Sequence, residues 1–306
     1  VNAATSAIVF ATKDYGYFAD ALAAAGTLER GVLERSDFPD GEHYLRVCSP
    51  VNDRHVVVVG GSISDAALLE IYDLASAAVD LGAATLTLIV PWYGYATMDR
   101  ATQRGEAVTA KNRARIFSSI PRAKLGNQIL LLDLHSEGIP HYFEGALHPV
   151  HVYAKKLIEP LARELGGSSF VLGSTDAGRA KWIESLANDL GVPAAFVYKR
   201  RTGPSSTEVT AVSTRLEGET VVVYDDMIRT GGSLMNAARA YREAGAGTLI
   251  AIATHGVFPG DALARIRDSG LFSAIACSDS HPRAVALRDD GLIVRSAAEL
   301  FLPFLR

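Results

Sequence analysis

Two stretches far apart in this chain share one outline. HVVVVGGSISDAALLEIYDLASAAVDLGAATLTLIVPWYG begins at His55 and TVVVYDDMIRTGGSLMNAARAYREAGAGTLIAIATHG at Thr220, and each runs strand, Gly/Ser loop, helix, strand. Their second strands align as GAATLTLIV and GAGTLIAIA, with Thr85 against Thr248, close to half the chain apart. Any two βαβ units share this outline, but a duplication at that spacing predicts two similar α/β domains with mainly parallel sheets. A length of 306 residues, 48% of them hydrophobic, is ample for two packed cores.

The second repeat carries the sharper chemistry. Val221 to Tyr224 is a short β-branched run of the kind that forms a buried parallel strand, and LMNAARAYREAGA reads as a helix ending near Gly245. Between them, Thr230, Gly231, Gly232 and Ser233 can form a nest of backbone N–H groups at a helix start, which attracts an anion such as a phosphate monoester. Asp225 and Asp226, expected in the loop just before, accept hydrogen bonds only, so they suit hydroxyl donors or a hard cation. A ligand with a phosphate at one end and a diol at the other satisfies both halves, and ribose 5-phosphate is the simplest. The plain alternative is a strand-end turn with two solvated acids. The first repeat's GGSISD keeps small residues and Asp65 but lacks the double acid and TGGS, so one sugar-phosphate pocket is expected rather than two.

Other strand ends bear reactive groups. ILLLDLHSE delivers Asp133 and His135 where ligands gather in parallel α/β sheets. The residues leave His135 open between a structural role, a metal ligand, a proton carrier and a phosphate contact. In SFVLGSTDAGRAKWIESLANDLG, Ser174, Asp176 and Gly178 line a strand-to-helix turn, with Asp176 a possible helix cap. FVYKRRTGPSSTEV ends a strand with Lys199, Arg200 and Arg201 and runs into a Gly/Pro/Ser loop, which is either a solvated basic turn or a loop that closes on a polyphosphate. SDFPDGEHYLRV places Asp40, Gly41 and Glu42 in a turn behind Phe38, where they either meet a base edge or simply close a hairpin.

Charge and composition exclude several classes. A net charge of -4 with mixed signs gives no basic stripe for a nucleic-acid backbone. Two cysteines, Cys48 and Cys277, indicate neither a disulfide framework nor a structural zinc site, and a reducing cytoplasm is the expected setting. The first residues hold a five-residue apolar run before Lys13 and Asp14, too short for a secretory signal. The uncharged stretch Leu81 to Met98 is broken by Gly82, Pro91 and Gly94, which fits a strand plus loop better than a membrane span.

Taken together and in order, FPDGE, DLHSE, STDAG, KRR, DDMIRTGGS and ATHGVF resemble the motifs of the ribose-phosphate diphosphokinase (PRPP synthetase) family over nearly the whole chain. The resemblance implies two phosphoribosyltransferase-like domains related by an internal pseudo-twofold repeat. A nucleotide-side domain is expected over 1–148, with 290–306 packing back on it, and a ribose 5-phosphate-side domain over 149–289. It implies transfer of the diphosphoryl group of Mg-ATP to the anomeric hydroxyl of ribose 5-phosphate, giving PRPP and AMP. Carried over residue by residue, Asp225 with Asp226 holds the ribose hydroxyls and Arg229, Thr230, Gly231, Gly232 and Ser233 hold the 5-phosphate. His135 and Asp176 match magnesium positions, His135 also counting among the catalytic groups with Lys199 and Arg201 of the mobile loop. Phe38, Asp40, Gly41 and Glu42 match the adenine-reading turn, and Thr97, Met98, Asp99 and Arg100 fall on a nucleotide-binding stretch. The family also implies a cytoplasmic homo-oligomer.

Three departures stand out. GYATMDR replaces the family's GYARQDR, so Thr97 and Met98 take the place of an Arg-Gln pair, and in this the chain looks closer to the phosphate-independent plant-type branch. Arg229 stands where DDMIDTAGT has its third Asp, and RGEAVTAK follows PGEPISAK without its prolines. Two rival readings share parts of the pattern: a phosphoribosyltransferase that consumes PRPP, and a non-catalytic synthetase-like regulatory subunit. The second nucleotide-type half argues against the former, and intact His135, Asp176, Lys199 and Arg201 argue against the latter.

Overall fold

The apolar runs become the strands of two parallel sheets. The computed structural model describes residues 7–26, 28–201 and 207–305, with side chains described for all of these but 177, 199–201 and 207–211. In its first part lie β1 (Ile8–Ala11), β2 (Glu29–Arg30), β3 (Leu33–Asp37), β4 (His43–Val47), β5 (His55–Val59), β6 (Thr85–Val90), β7 (Asn127–Leu132) and β8 (Leu147–Val152). Six of these form a sheet in the order β2-β1-β5-β6-β7-β8, every neighbouring pair parallel, while β3 and β4 make a separate antiparallel hairpin.

The second part repeats this plan with β9 (Val171–Ser174), β10 (Ala194–Ala195), β11 (Val197–Arg201), β12 (Thr207–Val212), β13 (Thr220–Ile228), β14 (Thr248–Gly256), β15 (Ala274–Ser278) and β16 (Ile293–Arg295). Its sheet order is β10-β9-β13-β14-β15-β16, again all parallel, with β11 and β12 as the hairpin. The duplication is visible in register. His55 pairs with Thr85 in the first sheet as Thr220 pairs with Thr248 in the second.

Burial explains why these runs are strands. Val56 to Val59 and Val221 to Tyr224 are buried throughout, as expected of parallel sheets covered by helices on both faces. The helices are α1 (Gly16–Ala25), α2 (Asp65–Asp80), α3 (Thr109–Ser118), α4 (Lys155–Gly166), α5 (Ala180–Leu190), α6 (Gly232–Glu243), α7 (Ala262–Asp268) and α8 (Pro282–Ala286). In α2, Leu68, Ile71, Leu74, Ala75 and Ala78 recur at helical spacing and are buried, and Ser64 caps the helix by accepting the Ala67 N–H at 3.1 Å. Among the described residues no helix is long and apolar enough to cross a membrane.

Contacts divide the chain into two compact units between Tyr153 and Ala154, and the segment from Ser296 onward joins the first unit. These breaks lie a few residues beyond the 148/149 and 289/290 boundaries expected from sequence. The reason is pairing: β8 extends to Val152, and β16 stays with β15. In the closing segment Phe301 is buried edge-on against Phe18 of α1, ring centroids 5.8 Å apart.

In the second unit, the buried Tyr241 of α6 props the sheet edge. Its hydroxyl lies 2.9 Å from the carbonyl oxygens of both Ser174 and Ala195 and shares its proton between them. Tyr241→Phe should therefore lower the unfolding free energy by about 1–3 kcal/mol, since both carbonyls stay buried with the donor gone. Urea denaturation measures this, and an unchanged midpoint would show that the hydroxyl holds nothing.

Candidate active site

Strand β13 is longer than the apolar run suggested. It continues in pairing through Met227 with His255 and Ile228 with Gly256, so Asp225 and Asp226 are strand residues and not part of a loop. Neighbouring positions on a strand face opposite sides of the sheet, and the two acids accordingly have different surroundings. Asp226 is only 2% exposed, and its Oδ2 lies 3.0 Å from Nη2 of Arg179. Asp225 keeps part of its surface open; its Oδ2 accepts the Thr175 hydroxyl at 2.8 Å and its Oδ1 the Asp226 N–H at 2.9 Å. Enclosure by the protein first, and then the Asp226 charge, push the Asp225 carboxyl up to about 8, against the pull of Thr175 and Arg179.

Beyond the acids the chain turns into α6. Gly231 is left-handed, with φ 79° and ψ 0°, and a Cβ there would collide with Ile266 of α7, so glycine is required twice over. Its carbonyl accepts the first helical bond, from Met235 N–H at 2.9 Å. Gly231 at the cap has no side chain to occupy the first-turn amides, which suits them to an oxyanion. Arg229, Thr230, Gly232 and Ser233 are exposed around them. On the turn after β9, Asp176 is partly exposed and its Oδ1 accepts the Gly178 N–H at 2.9 Å, a local turn bond. Lys199 and Arg201 lie in β11, but their side chains fall outside the described residues, as do residues 202–206.

In the first unit, Phe38, Asp40, Gly41 and Glu42 occupy the tip of the β3–β4 hairpin. Phe38 N–H donates to the Glu42 carbonyl at 2.8 Å, and the Asp40 carboxylate accepts the Glu42 N–H at 3.2 Å. Phe38 is 49% exposed, an aromatic face open to a flat partner. In the last pair before the turn, the His43 hydrogen bond, followed by Lys13, holds the Asp37 carboxyl below its ordinary range. A cavity of about 590 Å³ lies between this hairpin and α2.

The GYATMDR stretch follows β6 next door to β7, whose end carries His135. Tyr95 has φ 61°, with the Arg113 guanidinium 4.9 Å from its ring centre and 2.7 Å from the Asp65 carboxylate. The Tyr142 hydroxyl donates to the Asp99 carbonyl at 2.5 Å and so ties the segment beyond His135 to this loop. Thr97, Met98, Arg100 and His135 are exposed, while Asp133 is buried with φ 39°. Nε2 of His151 accepts the Leu134 N–H at 2.9 Å and pins the backbone just before His135.

Each unit thus gathers its own part of the expected set. The first brings Thr97 to Arg100 and His135 to adjacent strand ends and packs the Phe38 hairpin on α2. The second joins Asp176, Asp225, Asp226 and the 229–233 loop. His135 and Asp176 belong to different units, and among the described residues no three His, Cys, Asp or Glu side chains converge as a metal cage. Thr175 and Arg179 stand in the STDAGR stretch without a pattern that marks what they meet, and nothing in the sequence around His151 marks it.

Residues 7–120 match the model for the N-terminal domain of ribose phosphate pyrophosphokinase, and residues 153–273 match that for the phosphoribosyl transferase domain. A ribose-phosphate pyrophosphokinase of Methanopyrus kandleri is 34% identical over 277 residues, covering 90% of this chain and 92% of that protein. One from Gloeobacter violaceus is 33% identical over 276 residues, covering 89% and 81%. The crystal structure of phosphoribosylpyrophosphate synthetase from Mycobacterium smegmatis superposes with a TM-score of 0.84 at 28% identity, over 99% of this chain and 98% of that one. With both domain models in chain order on two units of one topology, and relatives aligned over most of their length, the chain belongs to the ribose-phosphate pyrophosphokinase family.

Proposed function

We propose that this chain transfers the diphosphoryl group of ATP to the anomeric hydroxyl of ribose 5-phosphate, releasing PRPP and AMP. The observation that carries the sugar side is the pairing, within one unit, of a partly open Asp225 with the uncapped first turn of α6. Asp225 accepts hydrogen bonds from the ribose hydroxyls, and the amides and side chains of Arg229 to Ser233 hold the 5-phosphate. The C1 hydroxyl oxygen then attacks the β-phosphorus, the bond from that phosphorus to the bridging oxygen of the α-phosphate breaks, and the hydroxyl proton is released. No protein nucleophile is needed. Lys199 and Arg201 of β11 stabilise the charge that spreads over the phosphates.

Magnesium fits the donor set, because this hard cation takes few protein ligands and fills its shell with water and phosphate oxygens. Asp176 in the second unit and His135 in the first would each serve as a ligand on its own unit, and when bound magnesium supplies charge neutralisation to the polyphosphate. The first unit serves the nucleotide: Phe38 offers a stacking face, Asp40, Gly41 and Glu42 read the adenine edge, and Thr97 to Arg100 line the phosphate side. The protein works on small molecules, as a homo-oligomer in the cytoplasm, and not on nucleic acid or membranes.

Nucleotide choice tests the reading directly. Threonine and methionine offer neither the charged fork of arginine nor the paired donor and acceptor of glutamine. GTP and CTP are therefore expected to replace ATP with kcat/KM within about tenfold. The assay is formation of the nucleoside monophosphate, dependent on ribose 5-phosphate, with each donor in turn. An ATP preference above about 1,000-fold would mean that Arg100 or the hairpin turn reads adenine alone. No monophosphate from any donor would defeat the proposed reaction.

A further inference from the structure

Three successive contacts join the turn after β9 and the start of α5 to the end of β13. Thr175 donates to Asp225 at 2.8 Å, Arg179 pairs with Asp226 at 3.0 Å, and the Trp182 ring stacks on Tyr224 at 4.2 Å and 12°. Both acids of the DD pair are thus gripped by one short segment, which also carries Asp176. The Arg179 side chain is 18% exposed and that of Asp226 3%, so this is an ion pair largely out of water, where the loss of one partner is costly. Asp226, turned inward, is not the acid a sugar would meet. Asp225, on the other side of the strand and partly open, is.

We propose that Arg179 is a positioning residue for sugar binding: by holding Asp226 inside the unit it sets Asp225 as the acid that meets the ribose hydroxyls and fixes the Asp176 turn beside it. This rests on the sugar site proposed above. Without Arg179 the Asp226 carboxylate would lose this cation beside Asp225, which disfavours the ionised Asp225 that accepts hydroxyl hydrogen bonds. The damage would then fall on the sugar and leave the nucleotide, which the other unit is proposed to hold.

The test is calorimetric titration of ribose 5-phosphate and of ATP, separately, into the full chain and its variants, with thermal melts to confirm folding. Arg179→Ala should weaken ribose 5-phosphate binding by about tenfold or more with ATP affinity held within about twofold. Arg179→Lys, which keeps the charge, should recover part of that loss. In the double variant Arg179→Ala with Asp226→Asn, sugar affinity should return by about threefold or more over Arg179→Ala, since the negative charge beside Asp225 goes together with its cation. The double and Lys variants also carry the test if Arg179→Ala does not fold. Sugar affinity unchanged in Arg179→Ala, equal losses for sugar and ATP, or a double variant no better than the single would each overturn the proposal. A wild-type chain that makes no PRPP would instead defeat the reaction proposed above, whereas one that makes PRPP with Arg179 dispensable defeats only this inference.

Discussion

Alanine in place of Lys199 or of Arg201 is expected to lower kcat by about 100-fold or more while ribose 5-phosphate affinity changes little. Both residues sit in β11, paired in register with Val209 and Thr207 of β12. Diphosphoryl transfer gains most from cations that meet charge as it develops, so their loss is felt at the transition state rather than in substrate binding. Steady-state kinetics at saturating substrates separates the two. A near-normal kcat with a raised KM would move these residues from catalysis to binding.

Asp225→Asn is expected to act in two opposite directions. Above pH 8, where Asp225 is ionised, a carboxylate that accepts two hydroxyl hydrogen bonds loses about 1–3 kcal/mol of binding when changed to an amide, so ribose 5-phosphate affinity measured there should fall by that amount with ATP affinity spared. The ligand-free protein should become more stable above neutral pH. Burial and the Asp226 charge raise Asp225 to about 8, well above the ordinary carboxylate value of about 4. A raised value means that the native state holds a proton the unfolded state has released across that window. Stability from this group is therefore present at low pH and lost as pH rises through about 8. Thermal melts from pH 6 to 9 should show the wild type losing stability with rising pH more steeply than the Asn variant, with Thr175, Arg179 and Asp226 unchanged around the site. Parallel curves would show that Asp225 carries no such strain.

The two-sheet plan was legible because a parallel strand covered on both faces must be a nearly continuous apolar run, and His55–Val59 and Thr220–Tyr224 announce themselves so. The end of β13 was not legible. Two consecutive acids look like a loop, and only the pairing of Met227 and Ile228 with β14 keeps them in the strand. Motifs single out Asp225, the 229–233 loop and the hairpin turn as candidates, since each lies within one short stretch. They could not show that Asp226 faces inward, because its partner Arg179 is far away in sequence and an arginine in a turn carries no mark of what it will meet. The same holds for Arg113 with Asp65 and Tyr95, which set the Thr97–Met98 loop from another helix. Pairings across the fold depend on the packing of elements, whereas local motifs depend on spacing alone.

Phosphorus NMR of the full chain with magnesium, ATP and ribose 5-phosphate tests the central claim, that a diphosphoryl group moves as one unit to the sugar. The account predicts that ATP signals give way to AMP and to a sugar bearing a two-phosphorus diphosphate together with its original 5-phosphate. Formation of ADP with a singly phosphorylated product, or ATP left intact beside unchanged ribose 5-phosphate, would contradict it.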